Sequence, residues 1–264
     1  MTRLRIHILY EYGIDTRPHS SSYIRLIRPL THPSLADHLD LTYSARLPDQ
    51  PMDIVIVDRL WRPDITPALA DQLVKDIISR GWRLVYALDD NLLDLPQRRD
   101  DWPEERHLQA LHIFLQAADA LWVTTTALEK RLSEFHQRIE VIPNALDERL
   151  LSRGGLPAGN RLFERQRSVI GLMGTLTHDQ DLSMIVPALH ELWRCHPNEF
   201  ELEIVGVTDR EGTIETLREF PVQMINPPPQ EREYPFFQLW FSSHVDWDIA
   251  LAPLIDTPFN RCKS

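Results

Sequence analysis

The sequence predicts an α/β fold of two successive domains, each built on a parallel sheet. Three observations carry this: short aliphatic and β-branched runs recur along the chain, the stretches between them are amphipathic, and a segment rich in Gly and Pro divides the runs into two series. Strands that read as nearly continuous apolar runs are strands buried on both faces, as parallel sheets require.

The first series opens with LRIHILY from Leu4 and continues with MDIVIVD from Met52, WRLVYAL from Trp82, ALWVTT from Ala120 and IEVIP from Ile139. Between the second and third runs, Thr66 and Pro67 supply an N-cap and a first-turn proline, and Leu69, Leu73, Ile77 and Ile78 give residues 68–79 a helical apolar face. Thr126 with Glu129 has the spacing of a capping box before a further helix. Residues 147–166 (DERLLSRGGLPAGNRLFERQ) break the pattern and read as a connection. The division is therefore a domain over 1–147, a linker over 148–167 and a second domain over 168–264.

The second series comprises SVIGLMG from Ser168, FELEIVG from Phe200, VQMIN from Val222 and WDIALAPL from Trp247. Thr177 with Gln180 again has capping-box spacing, and Pro187 must kink the helix that follows or begin another.

Composition narrows the function. At 264 residues, 43% hydrophobic, the chain can bury two cores, and its net charge of −11 offers no general attraction for nucleic acid or an anionic membrane. Any anion must be held locally. Two cysteines, Cys195 and Cys262, make no disulfide framework and fit a reducing, cytoplasmic setting. No run of about 18 apolar residues occurs, and no basic amphipathic helix argues for membrane contact.

In open parallel sheets ligands bind beyond the carboxyl ends of the strands, so the loops there hold the candidates. After SVIGLMG, Gly174 permits close backbone approach, Thr175 and Thr177 precede a helix start suited to phosphate, and His178 can donate to an anion. After WRLVYAL, Asp89 and Asp90 form a polar, ligand-facing pair; adjacent residues at a strand end point oppositely, which speaks against a shared metal. Ser20, Ser21 and Ser22 follow the first strand, and no GxGxxG dinucleotide fingerprint is present. Asn144 follows the last strand of the first series, where it suits a turn. Arg261 and Lys263 end the chain as two cations placed for a diphosphate.

Taken in order, YALDDNLLDLP, ADALWVTTTALEKRL, VIPNALD, IGLMGTLTHDQDL and WDIALAPLIDTPFNRCKS resemble the bacterial GT-B glycosyltransferases of the broad family-4-like group. The resemblance implies two Rossmann-like domains, a nucleotide-sugar donor held mainly by the second and a glycan or lipid-linked acceptor by the first. It also implies no cofactor, no obligatory metal and retention of anomeric configuration. Gly174, Thr175, His178, Arg261 and Lys263 would then bind donor, while Ser21, Asp89, Asp90 and Asn144 would line the acceptor side; no catalytic residue is assigned. Relatives carry a histidine where this chain has Leu88-Asp89, so that role does not transfer. Their second domain continues into a helix with a donor-binding glutamate, so the resemblance also implies an incomplete second domain, a chain truncated at its C-terminus. The competing readings are a non-catalytic transferase-like binding module and a nucleotide-sugar epimerase of the same fold.

Overall fold

The computed structural model describes residues 3–95, 104–151 and 167–263. They form two compact units: one of Met1–Asp147 with Thr257–Ser264, the other Glu148–Asp256. Most of the expected linker, residues 152–166, lies outside the described residues, as does Ser264.

In the first unit, β1 (Leu4–Leu9), β2 (Leu39–Ser44), β3 (Ile54–Asp58), β4 (Arg83–Leu88), β5 (Ala120–Val123) and β6 (Ile139–Val141) form one parallel sheet in the order β2-β1-β3-β4-β5-β6. Alternation along each strand supplies two cores. Val55, Val57, Leu84, Tyr86, Leu121 and Val123 face one side, where α3 (Pro67–Ser79) and α4 (Glu105–Ala117) bury Leu73, Ile77, Leu111 and Phe114. Ile6, Ile8, Ile56 and Ala87 face the other, where Leu26 and Ile27 cover them. Those two belong to a continuous helical segment of α1 (Ser20–Ser22), a π-helical turn (Tyr23–Ile27) and α2 (Arg28–Leu30). Helices on both faces explain why these strands read as unbroken apolar runs.

Strand β2 was not among the expected runs. It is an edge strand with no fully buried residue, so no continuous apolar signal marks it. Thr66 caps α3 as expected, its Oγ1 accepting from Leu69 N at 3.2 Å with Pro67 in the first turn. For α5 (Thr126–Leu132) the cap falls one residue earlier than expected: Thr125, not Thr126, accepts from Leu128 N at 3.1 Å.

In the second unit, β7 (Ser168–Gly174), β8 (Phe200–Gly206), β9 (Val222–Ile225) and β10 (Ile249–Leu251) form a parallel sheet in the order β10-β7-β8-β9. Helices α6 (Glu148–Leu151) and α8 (Glu211–Thr216) belong to this unit, and α7 (Asp179–Cys195) packs Leu182, Val186 and Leu189 on Ile170, Leu172, Leu202 and Ile204. Pro187 neither ends nor restarts this helix; it sits inside it. The expected Thr177 cap is also absent, because a 3-10 turn (Leu176–His178) intervenes and Thr177 Oγ1 pairs with Thr175 Oγ1 at 2.7 Å. On the other face, Trp247 lies against Gly171, donates to Glu203 Oε2 at 2.7 Å and meets Phe241 of α9 (Phe236–His244) edge-on at 5.2 Å.

The chain's last residues depart from the expected division. Cys262 is buried in the first unit's core, its carbonyl accepts from Thr125 Oγ1 at 2.9 Å, and Asn91 Nδ2 reaches its Sγ at 3.7 Å. Burial of one small apolar side chain and one satisfied carbonyl holds this tail on the first unit.

Candidate functional site

Each sheet has one switch point, where the strand order reverses and the loops on either side diverge to leave a crevice. In the first unit it lies between β1 and β3, in the second between β7 and β10.

Around the first switch point stands a buried ionic network. Asp58, the last residue of β3, accepts from Ser22 Oγ, from Arg25 Nη2 and, at 3.3 Å, from Glu11 N. Arg59 reaches Glu11 Oε2 through Nε at 2.9 Å, and its Nη1 donates to both Asp89 Oδ1 and Asp90 Oδ2 at 2.9 Å. Arg25 Nε stands 3.4 Å from Asp89, Lys263 Nζ 3.5 Å from Asp90, and His19 Nδ1 3.4 Å from Glu11 Oε2. Four carboxylates thus meet three fixed cations.

The protons distribute accordingly. Burial pushes the Asp58 carboxyl up, against the pull of Arg25. Burial would raise Asp89 as well, but Arg25 and Arg59 outweigh it and lower the pKa to about 2. For Glu11, burial is again opposed, here by Arg59 and then His19, and the result is lowered. The network remains incompletely satisfied: Arg25 Nε and Nη1, Arg59 Nε and the Tyr86 hydroxyl are buried without an aligned hydrogen-bond partner. Arg59 Nε touches Glu11 as an ion pair, though not along a hydrogen-bond direction. Buried polar atoms left over in this way cost stability, and a catalytic or binding role is one reason a fold keeps them.

A stability prediction follows. Asp89 titrates lower folded (about 2) than its ordinary 3.8, so it stabilises the fold above pH about 4, by on the order of 2 kcal/mol, and this is lost as pH falls toward 2. Asp58, shifted the other way, weakens the fold above pH about 4, and that penalty is relieved as pH falls toward its ordinary 3.8, before the Asp89 loss sets in. Asp89→Asn is therefore expected to lower the urea midpoint at pH 7 and to flatten its decline between pH 4 and 2. An unchanged slope would remove Asp89 from the network.

In the second unit, the loop after β7 crosses the switch point. A Cβ on Gly206 would stand 2.2 Å from Gly174 O, and Gly206 has φ +70°, so glycine is required where the β8 end meets the β7 loop. His178 Nδ1 pairs with Asp181 Oδ2 at 2.7 Å, and Asp181 Oδ1 accepts from Ile255 N, beyond β10, at 2.7 Å. Asp179 is buried under Thr208 Oγ1, Thr213 Oγ1 (2.7 Å) and Arg210 Nη1 (3.1 Å). Two carboxylates thus already occupy the first turn of α7. The loop and His178 therefore offer more to an anion than the helix dipole does.

The sequence candidates now have places. Gly174, Thr175 and His178 lie together at the second switch point. Arg261 and Lys263 belong to the first unit: Lys263 pairs with Asp90 and covers the Phe259 ring at 4.9 Å, while Arg261 is exposed on a 3-10 turn. Asp89 and Asp90 converge on one guanidinium nitrogen instead of diverging, because both stand in the bend after β4, where the pleat no longer applies. Ser22, not its half-buried neighbour Ser21, reaches Asp58. Asn144 is exposed in the segment after β6. Glu11, Asp58 and Arg59 carried no sequence signal beyond standing near strand ends, and Arg25 and Asp181, inside helical segments, carried none. Among the described residues no group of three His, Cys, Asp or Glu is placed to hold a metal, and no helix is long and apolar enough to cross a membrane.

No family model and no curated protein matches the sequence. Solved structures do match. The α,α-trehalose 6-phosphate synthase of Burkholderia multivorans is 14% identical, with 92% of this chain and 76% of that one covered at a TM-score of 0.53. The UDP-GlcNAc 2-epimerase of Neisseria meningitidis, bound to UDP-GlcNAc, is 12% identical over 92% and 76% at 0.48. An Escherichia coli structure with UDP-2-fluoro glucose is 14% identical over 78% of this chain and 54% of that one at 0.49. At such identities the likeness shows the fold alone, and that fold is the α/β, Rossmann-like GT-B class with parallel sheets of six and four strands.

Proposed function

We propose that the chain acts on a nucleotide sugar as a GT-B glycosyltransferase, passing the sugar to a glycan or glycolipid acceptor in cell-surface polysaccharide or glycoconjugate assembly. One observation carries this reading: the Gly174–Thr175 loop and a carboxylate-held His178 meet at the switch point of the second sheet. A leaving nucleoside diphosphate gains charge as the glycosidic bond breaks, and fixed donors stabilise that charge without reorganising. With Nδ1 engaged by Asp181, the imidazole is fixed and its Nε2 is the nitrogen that meets the phosphate. Lys263 pairs with Asp90 in the first unit. No cofactor enters the reaction. A lipid-linked acceptor would place the work in the cytoplasm, at the membrane surface.

Calorimetric titration with UDP, UDP-glucose and UDP-GlcNAc tests it. The native chain is expected to bind at least one, and His178→Ala to bind it about 10- to 100-fold more weakly, as loss of a hydrogen bond to a charged group does. Binding of none would overturn the reading. Incubating one nucleotide sugar without acceptor separates an epimerase, which would return a second nucleotide sugar.

A further inference from the structure

The switch point of the first unit lies at the carboxyl ends of its strands; their amino ends carry a separate feature. Strand register sets four aliphatic residues side by side on one face of the sheet. Ile54 stands beside Ile6, Val85 beside Ile56 and Ala120 beside Val85, while Leu4 precedes Ile6 by two residues and so shares its face. On that face Leu26 and Ile27 cover Ile6, Ile8, Ile56 and Ala87. Toward the amino ends the cover stops, and a cleft of about 320 Å³ opens with Leu4, Ile54, Val85 and Ala120 as its floor.

Four charged residues complete the lining, and they are not equivalent. Asp53 is engaged by Arg5, whose Nε and Nη2 donate to it at 3.2 and 2.7 Å. Asp119 Oδ2 accepts from Leu84 N at 2.7 Å. Arg83 and Arg138 are exposed, and among the described residues neither guanidinium has a hydrogen bond or an ion pair. Arg83 stands beside Ile54, and Arg138 comes one residue before the Leu121–Ile139 pair, which sets it beside Ala120. Both arginines thus start from the floor's own face. Their strands flank β5, so the two backbones are about 10 Å apart. Between them stands Ala120, whose methyl group leaves the gap clear. With Asp53 matched by Arg5, the lining keeps two free cations against one acid, in a chain of net charge −11.

We propose that this cleft binds a medium-chain carboxylate, its apolar tail on Leu4, Ile54 and Val85 and its carboxylate over Ala120, between Arg83 and Arg138. A planar guanidinium matches a carboxylate with two parallel hydrogen bonds, and two of them converge here. At roughly 30 Å³ for each non-hydrogen atom, the share of one water, the cleft takes about ten such atoms, the size of octanoate. That is the small end of ligand pockets. A sugar or a base finds no neutral hydrogen-bonding side chain on this floor. A neutral tail would leave both guanidinium groups unmatched, and a small inorganic anion would leave the floor wet. A doubly charged head would be repelled by Asp119. The site uses no residue of either switch point and stands apart from the donor reading.

The test titrates the full chain with octanoate by calorimetry, beside octanol, acetate and octyl phosphate, and locates the bound molecule by amide NMR shifts. Expected is saturable octanoate binding with a Kd on the order of 0.1–1 mM, with shifts at Ile54, Val85 and Ala120 and none at Gly174 or His178. Octanol and acetate should bind at least about 10-fold more weakly, and Arg83→Gln and Arg138→Gln should each weaken octanoate about 10-fold, as loss of a hydrogen bond to a charged group does. Both arginines are exposed and unpaired, so these variants should keep the native urea midpoint. Ala120→Leu fills the gap and should abolish binding; if that variant does not fold, the arginine variants decide. No saturable octanoate binding, octanol binding as tight as octanoate, or octanoate affinity unchanged in the double arginine variant would each overturn the proposal. Octyl phosphate binding about 10-fold tighter than octanoate would overturn the carboxylate as its ligand.

Discussion

Arg59→Met is expected to destabilise the first unit by about 3–5 kcal/mol, the usual result of removing one partner from a buried ion network. The change leaves Glu11 without its fixed cation, and leaves Asp89 and Asp90 to share Arg25 with Asp58 and Lys263. Methionine matches the volume of the stem but none of the charge, so the cost measures electrostatics and not a cavity. Urea unfolding should show the transition of the first unit shifted while that of the second stays in place, since the two units have separate cores. Adding Asp89→Asn should recover part of the loss, because one fewer anion is then stranded. A cost under 1 kcal/mol would mean that these carboxylates take up protons freely, and that the network is not held charged.

Gly171→Ala should be comparably severe in the second unit. Its Cβ would stand 1.7 Å from Trp247 Cδ2, far inside contact distance, so the indole must leave the sheet face. With it go the hydrogen bond to Glu203 and the edge contact with Phe241. Overpacking of this kind, with one buried hydrogen bond lost, costs about 3 kcal/mol or more. The decisive measurement is a double-mutant cycle: on a Trp247→Ala background the alanine at 171 has room, and its cost should fall below about 1 kcal/mol. Undiminished cost on that background would place the fault in the backbone of β7 and not in the ring.

The parts of this protein that a single strand or helix can decide were readable in the amino-acid order. Nine apolar runs became strands, and for those inside the two sheets the reason is that a strand buried on both faces needs apolar residues on both. Thr66-Pro67 became a cap because that contact spans only three residues. Edge strand β2 escaped notice because Asp40, Thr42 and Ser44 alternate with its apolar residues and break any continuous apolar run. The cap expected at Thr126 fell to Thr125 because neighbouring threonines offer alternatives separated by small energies, which local packing then resolves, whereas the helix expected to be capped by Thr177 has no side-chain cap.

For the site, sequence alone determined the order of the strands and hence which loops follow them: Gly174, Thr175 and His178 after β7, Asp89 and Asp90 after β4. Only the tertiary structure decided what those side chains meet. Glu11, Arg25, Asp58 and Arg59 are separated by up to dozens of residues yet share one buried network, and Lys263, nearly at the end of the chain, pairs with Asp90 beside it. Charge interactions depend on distance in space and on burial, and neither is a property of position along the chain.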